Sequence, residues 1–235
     1  MPSPYKTALV VGGTGGAGYT IARMLAARGQ RVILTSREAG RATAAAEELG
    51  VGHLGLSLDL THPEAIANAL SEIGQIDHLV LSAVERDQNA IRNYDVAAAQ
   101  RAVGLKLVGY AAVAAALVDR YTPTSAIVLL GGMASERPYP GSTSISTING
   151  GVRGLLRTLA VELAPVRVNA IHPGAIGDTE AFAKAPKPTI DRILERTPEG
   201  RLVETTDIAR SVLFLLDTPG VNGIDFLVDG GYHLT

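Results

Sequence analysis

Residues 8–18 of the chain read Ala-Leu-Val-Val-Gly-Gly-Thr-Gly-Gly-Ala-Gly, and a helix-like run that begins at Tyr19 follows them. An apolar strand, a cluster of glycines and a helix in this order are typical of a site that receives a pyrophosphate. The first N–H groups of a helix have no partner within it and carry the positive end of its dipole, so they attract an anion. Glycines let the backbone approach that anion closely. The stretch predicts a dinucleotide site, with a tight turn that binds nothing as the alternative.

Short β-branched runs alternate with longer helix-like runs along the whole chain, which is typical of βαβ units. The predicted strands are 7–11, 31–35, 54–58, 78–81, 126–130, 167–171 and 225–228, and the predicted helices lie near 17–28, 38–49, 64–73, 97–120, 150–163 and 206–216. We therefore predict a single α/β domain over residues 1–235. It is a Rossmann-type doubly wound parallel sheet in three αβα layers, with ligands at the carboxyl ends of the strands. Residues 174–200, which prolines interrupt, are predicted to form a lid over the substrate.

The composition narrows the class of protein. Of the 235 residues, 46% are hydrophobic and 19% are charged, which favours a folded domain over a disordered chain. The net charge of -2, without a basic stripe, argues against a nucleic-acid partner. The absence of cysteine excludes disulfides and thiolate metal sites, and we predict no metal. No run reaches the roughly 18 apolar residues of a membrane span, so we predict no membrane partner and a cytoplasmic location.

The end of the second predicted strand indicates which nicotinamide dinucleotide binds. A carboxylate there would accept hydrogen bonds from the ribose hydroxyls and repel a 2′-phosphate. The residues present are Thr35-Ser36-Arg37, and Arg41 follows one helical turn later. Guanidinium groups suit a phosphate, so the segment favours NADP(H), unless both arginines are merely solvated. Asp59, which closes the third strand, either accepts a hydrogen bond from adenine or caps a helix before Pro63.

Four separated motifs resemble those of the short-chain dehydrogenase/reductase family. They are the Gly-x-x-x-Gly-x-Gly of 12–18, Asp59-Leu60, the Arg-Val-Asn-Ala-Ile-His-Pro-Gly of 167–174 and the Val-Asp-Gly-Gly of 228–231. The resemblance implies an NADP(H) site and a substrate that is a small molecule. The cofactor-binding residues that we expect are Gly12, Thr14, Gly15, Gly16, Ala17, Gly18, Ser36, Arg37, Asp59, Leu60, Ser82, Ala83, Asn149, Pro173, Gly174, Ile176 and Thr179.

The catalytic residues of the family do not carry over to this chain. Members use a Ser-Tyr-Lys-Asn tetrad, in which tyrosine exchanges the proton, lysine lowers the pKa of that tyrosine and holds the nicotinamide ribose, and serine orients the substrate. Ungapped matching places Gly132, Ile145 and Asn149 at the serine, tyrosine and lysine positions, and the asparagine position falls on Lys106 or Gly104. The resemblance therefore implies an atypical member. General acid–base catalysis contributes roughly 10²–10⁴-fold, so the loss of tyrosine does not by itself exclude hydride transfer.

Three residues are candidates to replace the missing groups: Lys106, Tyr139 and Ser144. A lysine beside a nicotinamide pocket would be desolvated and its pKa lowered, which makes Lys106 the first to test. Each has a structural alternative, and for Tyr139, which stands between two prolines, it is a packed loop aromatic. His172 either lines the site or only satisfies a backbone carbonyl. The hydroxyl and β-branched residues of 142–148 predict a helix that begins late, with Asn149 or a nearby Ser or Thr as its cap.

These observations leave three functions open. The first is an NADP(H)-dependent oxidoreductase with a non-standard proton donor that acts on a small carbonyl, enone or imine. The second is a non-redox cyclase, isomerase or dehydratase that keeps the nucleotide as a structural component. The third is a non-catalytic subunit paired with an active paralogue. The family builds its dimer and tetramer interface from the helices at 97–120 and 150–163, so we expect a homodimer or homotetramer through them.

Overall fold

The computed structural model describes residues 6–85 and 88–235, and in these residues seven strands form one parallel sheet in the order β3-β2-β1-β4-β5-β6-β7. The strands are β1 Thr7–Val11, β2 Arg31–Ser36, β3 Leu54–Ser57, β4 Ile76–Leu81, β5 Tyr121–Leu130, β6 Arg167–Pro173 and β7 Asp225–Val228. All seven predicted strands and the predicted Rossmann-type class are confirmed. The largest difference in bounds is at β5, which begins at Tyr121 rather than at residue 126.

Nine α-helices connect these strands within the described residues. They are α1 Gly16–Ala27, α2 Ala39–Leu49, α3 Ile66–Ala69, α4 Val96–Val103, α5 Gly109–Ala116, α6 Thr143–Glu162, α7 Glu180–Ala183, α8 Lys187–Glu195 and α9 Thr205–Asp217. A π-helical turn, Gly104–Val108, joins α4 to α5, so the segment predicted as one helix over 97–120 is nearly continuous. No helix in the described part of the chain is long and apolar enough to cross a bilayer.

Helices cover both faces of the sheet, so the central strands are buried on both sides, as all five residues of β1 and the last six of β5 show. Alternate residues of each strand point to opposite faces, so Leu9 and Val10 of β1 belong to different cores. The Leu9 core packs against α3, α5 and α6, and the Val10 core packs against α1, α2 and α9. This is the three-layer αβα arrangement, and it directs the carboxyl ends of all seven strands to one edge.

Helix α6 corrects the prediction of a late start. It begins at Thr143, with Ser142 as the N-cap residue, and runs unbroken to Glu162. Its buried residues include Ser144, Ile148 and Asn149, so Asn149 lies inside the helix and does not cap it. Packing of this face against the sheet outweighs the low helix propensity of the hydroxyl and glycine residues.

Residues 174–200, predicted as a lid, contain the short helix α7 and the longer α8. Thr179 Cγ2 lies 3.7 Å from the position that a Cβ atom of Gly16 would take. At its other end the segment packs against the turn at Gly230 and Gly231, through Thr197 and Pro198. The segment therefore spans the carboxyl edge of the sheet, from the glycine turn to the end of β7.

Candidate functional site

The glycine turn between β1 and α1 is shaped by its packing as well as by its backbone. Gly12 has a φ of +79°, and a Cβ atom there would lie 2.7 Å from the backbone of Ala83. A Cβ atom on Gly18 would meet the carbonyl oxygen of Gly12. Side chains at these two positions would push the turn away from its neighbours, so glycine is required at both.

The first turn of α1 faces outward from this loop without a capping group. Gly15 is the N-cap residue in an extended conformation, and no side chain in the described part of the chain caps the helix. The N–H groups of Gly16, Ala17 and Gly18 therefore lack the side-chain acceptor that a Ser or Asp cap would supply. The same arrangement fits a pyrophosphate, because the dipole and the N–H groups act together on an anion.

The residues that follow β4 are hydrogen-bonded to the start of the glycine turn. Ser82 Oγ donates hydrogen bonds to the carbonyl oxygens of Val11 at 2.8 Å and Gly12 at 3.3 Å. Ala83 follows and makes the contact with Gly12 described above. Of the residues expected to bind the cofactor, Ser82 and Ala83 are thus brought directly against the turn.

Two arginines follow the end of β2, and one of them, Arg41, contacts the same turn. Arg37 is exposed, and Arg41 Nη2 donates to the carbonyl oxygen of Thr14 at 3.4 Å. Ser36 Oγ accepts a hydrogen bond from the backbone of Glu38 at 3.3 Å, and Glu38 is the exposed N-cap residue of α2. Both arginines thus follow the carboxyl end of β2, and Arg41 lies against the glycine turn.

Asp59 and Leu60 follow β3 and have mainly structural contacts. Asp59 Oδ1 accepts hydrogen bonds from Thr61 N at 2.9 Å and from Thr61 Oγ1 at 2.8 Å, which forms a local turn. The N-cap residue of the short helix that begins at Pro63 is His62, so the alternative of a helix cap at Asp59 is wrong. Leu60 is buried and lies within 2.8 Å of the Cβ position of Gly109. A contact of Asp59 with adenine stays a prediction.

The residues after β6 form another wall of this edge. Gly174 N donates to Val228 O at 2.9 Å, directly after Pro173. Ile176 forms an isolated bridge with Val203, and Thr179 Oγ1 donates to Ile176 O at 2.9 Å. Because Thr179 also approaches Gly16, this wall and the glycine turn enclose the same space.

Two of the three positions matched to the family's Ser-Tyr-Lys residues contact each other. Gly132 lies just after β5, and Ile145 and Asn149 lie on α6, a helix that contains neither tyrosine nor lysine. A Cβ atom on Gly132 would lie 2.8 Å from Asn149 Nδ2. Asn149 is buried, and among the described residues its Oδ1 has no hydrogen-bond partner. A serine at 132 would therefore require Asn149 to move.

The His172 side chain forms hydrogen bonds with Gly132 and with Asp225. Its Nε2 lies 2.9 Å from Asp225 Oδ1, and its Nδ1 lies 3.3 Å from the backbone nitrogen of Gly132. A Cβ atom on Gly131 would collide with the imidazole ring. Burial is the largest effect on His172 and lowers its pKa, although Asp225 opposes the shift. The fully buried ring joins the ends of neighbouring strands, which favours the structural alternative for this residue.

Lys106 occupies a buried position between the π-helical turn and the end of β4. Its Nζ donates hydrogen bonds to Ala83 O at 3.1 Å and to Tyr110 Oη at 2.9 Å, and Tyr110 Oη donates to Ala83 O at 2.8 Å. Burial lowers the pKa of Lys106 to about 7. The sequence analysis missed Tyr110, and the signal that was present is its spacing of four residues from Lys106.

The other two candidates for catalysis differ from each other. Tyr139 is 54% exposed in the loop before α6, and its backbone nitrogen donates to Ser142 Oγ at 3.0 Å. The alternative of a packed loop aromatic is therefore wrong. Ser144 is buried, and its Oγ has no partner among the described residues. Lys106 is thus hydrogen-bonded to Ala83, which contacts the glycine turn at Gly12. Tyr139 is hydrogen-bonded to Ser142 instead.

Comparisons with known proteins agree with this architecture. Residues 12–233 match the family model described as "Enoyl-(Acyl carrier protein) reductase". The chain is 32% identical over 242 residues to a 3-oxoacyl-[acyl-carrier-protein] reductase of Bos taurus, covering 98% of this chain and 99% of the relative. It is also 32% identical to carbonyl reductase family member 4 of Danio rerio, over 97% and 98% of the two chains. A short-chain dehydrogenase/reductase structure from Brucella melitensis superposes with a TM-score of 0.90 at 26% identity, over 97% and 96%.

A doubly wound sheet with a glycine turn open to an anion defines a dinucleotide-binding protein of the Rossmann class. Within that class, the chain belongs to the short-chain dehydrogenase/reductase family. The curated relatives are oxidoreductases, and members of this family use nicotinamide cofactors.

Proposed function

We propose that the chain is an NADP(H)-dependent oxidoreductase that reduces a small carbonyl, enone or imine with a non-standard proton donor. The observation that carries this proposal is the intact nucleotide end. The uncapped first turn of α1, the glycine turn and the hydrogen-bonded Ser82–Ala83 segment together form a cradle that a pyrophosphate fits.

The preference for NADP(H) rests on Arg37 and Arg41. Their guanidinium groups would pair with a 2′-phosphate in charge-assisted hydrogen bonds, and β2 ends without a carboxylate to repel it. Arg41 is already held against the turn by its bond to Thr14 O. These contacts would make the affinity for NADPH higher than that for NADH, and the ratio of the two dissociation constants measures the difference.

The chain's own groups would hold and separate the reactants. NADPH, when bound, supplies the hydride that reduces the substrate. Gly16, Ala17 and Gly18 would donate to the pyrophosphate, and the buried amide of Asn149 would offer its unpartnered oxygen to a ribose hydroxyl. The segment 174–200 would close the substrate side and exclude water. The proposed contacts of Asp59, Ile176 and Thr179 complete the cofactor site.

The substrate class is proposed from the relatives and from the site. The name of the cattle relative indicates reduction of a 3-oxoacyl group on an acyl carrier protein, and the name of the zebrafish relative indicates reduction of a carbonyl. A ketone needs a proton on its oxygen as hydride arrives, and α6 offers no tyrosine or lysine for that step. An acetoacetyl thioester and a set of free ketones, enones and imines are therefore the compounds to test first.

The experiment measures NADPH and NADH binding to the native chain and to the double variant Arg37→Ala/Arg41→Ala. Loss of two charge-assisted bonds should weaken NADPH binding by on the order of 10- to 100-fold and leave NADH binding unchanged. Arg31→Ala, which removes an exposed arginine from the opposite end of β2, is the matched control. Equal NADPH affinity in the native and double-variant proteins would contradict the assignment of these arginines.

A second function has one specific observation in its favour. The space where the family has serine is filled by Asn149, and α6 has no tyrosine, which suits a non-redox cyclase, isomerase or dehydratase that keeps the nucleotide structurally. Product that forms only with bound NADPH, without any change in nicotinamide absorbance, would support this alternative. A non-catalytic subunit paired with an active paralogue would show neither product nor absorbance change.

We also propose that the chain forms a homodimer or homotetramer through the helices at 97–120 and 150–163. Gly150 and Gly154 on α6 are exposed, and apart from the nearby backbone of α6 itself, no described atom lies within 4 Å of their Cβ positions. Val96 and Val108, on the neighbouring α4 and π-helical turn, are also exposed. Small residues permit close contact between helices, and exposed valines add apolar area to such a contact.

A further inference from the structure

Lys106 and Tyr110 form a buried pair that the proposed function has not used. Their side chains are 3% and 0% exposed, and they stand four residues apart on the segment that runs from the π-helical turn into α5. The N–H of Gly109 donates to Gly104 O across this turn, which is the i→i+5 bond of a π-helix. Such turns are frequent at functional sites because they redirect one side chain of a helix.

Lys106 and Tyr110 belong to the two residue types, lysine and tyrosine, that α6 does not contain. The family places tyrosine and lysine four residues apart on α6, whereas this chain has lysine and tyrosine four residues apart, in the reverse order, on the helix packed against it. The two helices touch where Leu107 Cδ1 lies 2.6 Å from the Cβ position of Gly151. We infer that Lys106 is the proton donor of this site and that Tyr110 is the residue that positions it. This inference rests on the proposed function.

Among the residues that the structure describes, hydrogen bonds account for two of the three N–H bonds of the Lys106 ammonium. Their acceptors are Ala83 O and Tyr110 Oη. Ala83 is the residue that contacts Gly12, so Nζ lies at the carboxyl edge of the sheet, beside the glycine turn. We assign the third N–H to the substrate oxygen.

The electrostatic setting suits a proton donor at neutral pH. Burial is the cause of the lowered pKa of Lys106, and burial raises the pKa of Tyr110, so the tyrosine stays neutral and the lysine titrates. On the described parts of the segments that follow Ala83 and precede Lys106, Glu85 and Arg101 are charged, and Arg101 Nε lies 3.9 Å from Glu85 Oε1. On α6, the residue in contact here is Gly151, whose Cβ position lies 2.6 Å from Leu107 Cδ1, and this contact brings in no titratable group. Lys106 is therefore the group that sets the pH dependence of this step.

The proton step balances as follows. An N–H bond of the Lys106 ammonium breaks and an O–H bond forms on the substrate oxygen, while the substrate carbon takes the hydride of the proposed reaction. The resulting neutral amine takes up a proton from water before the next turnover. Tyr110 keeps its own proton, which stays in the bond to Ala83 O.

The experiment compares Lys106→Met and Tyr110→Phe with Tyr121→Phe, which removes another largely buried tyrosine hydroxyl, from the opposite end of the sheet. In single-turnover NADPH oxidation with a ketone, Lys106→Met should lose on the order of 10²–10⁴-fold in rate, with NADPH affinity within about twofold of native. Tyr110→Phe removes an acceptor that favours the ammonium, so the pH at which the rate halves should fall. Tyr121→Phe should match the native profile.

A second readout does not depend on turnover. The pKa of Lys106, measured by side-chain NMR on the chain without substrate, should lie well below 10.5 and fall further in Tyr110→Phe. If the native protein oxidises NADPH but Lys106→Met retains its rate, Lys106 is not the donor. If no acceptor is reduced at all, the proposed function fails, and a Lys106 pKa near 10.5, or one unchanged in Tyr110→Phe, overturns the pairing. Lys106→Gln replaces Lys106→Met if the latter does not fold.

Discussion

Lys106 loses solvation of its charge when the chain folds, which has a consequence for stability. Its pKa falls from 10.5 to about 7. Between these two values the unfolded chain holds a proton that the folded chain has released, so the free energy of unfolding rises with pH in this window. Below about pH 7 both states hold the proton, and the cost of burying the charge is then fully present.

This lysine should therefore make the protein more stable at mildly alkaline pH. Each pH unit within the window adds at most about 1.4 kcal/mol to the free energy of unfolding, so we expect a gain of about 2 kcal/mol between pH 7 and pH 9. Urea denaturation of the native chain and of Lys106→Met at both pH values measures it. The variant should show little of the gain, and parallel behaviour of the two proteins would contradict the assigned burial of the charge.

The adjacent glycines after β5 should differ in their tolerance of a methyl group. At Gly131 a Cβ atom meets the His172 ring. Hydrogen bonds with Asp225 and Gly132 hold this ring in place. At Gly132 a Cβ atom meets the Asn149 amide, whose Oδ1 has no partner among the described residues, so the amide can rotate away. Gly131→Ala should cost about 1–3 kcal/mol and Gly132→Ala less, as thermal denaturation would show. Equal costs would mean that the ring moves as easily as the amide.

At the scale of secondary structure, the strands and the glycine turn could be predicted because their signals are local. Hydrophobic runs bounded by turn residues determine the strands, and the order strand-glycines-helix determines the nucleotide end. The start of α6 could not be predicted, because contacts with the sheet stabilise a segment of poor propensity. Tyr110 was missed because a tyrosine in an apolar helix is normally core, and its hydrogen bond to Ala83 joins residues far apart in sequence.

The packing of α6 against the π-helical turn gives a prediction for two helical glycines. A Cβ atom on Gly151 would press on Leu107, whereas Gly104 has no atom within 4 Å of its Cβ position. Gly151→Ala should destabilise the protein by about 1–3 kcal/mol through overpacking. Gly104→Ala should stabilise it by up to about 1 kcal/mol, because alanine loses less backbone entropy in a helix. Denaturation midpoints compare them, and stabilisation by Gly151→Ala would contradict the described contact between the helices.

For the whole molecule, the two cores direct every strand end to one edge, and residues 174–200 extend along that edge. The proposed interface with other copies of the chain lies on the outer surface of the helices at 97–120 and 150–163. Gly154 is exposed on α6, in the proposed interface, and Gly40 is exposed on α2, outside it. Both have open space around the Cβ position, so a larger side chain is compatible with the fold of a single chain at either position.

Gly154→Arg should therefore reduce the oligomer to monomers, while Gly40→Arg should leave its mass unchanged. A charged side chain in the middle of a helix contact would be buried without a partner, and that burial opposes association. Light scattering coupled to size-exclusion chromatography measures the mass of each protein. A native chain that is already monomeric, or an oligomer that Gly154→Arg leaves intact, would contradict the proposed interface.

The most direct test of hydride transfer by this chain is a single turnover with NADPH carrying deuterium at the transferable position. The enzyme in excess is mixed with labelled NADPH and an acetoacetyl thioester, followed by the free ketones, enones and imines. We expect nicotinamide absorbance to fall and deuterium to appear on the reduced carbon of the product. Normal binding of NADPH, with no absorbance change and no label in any product, would contradict the account.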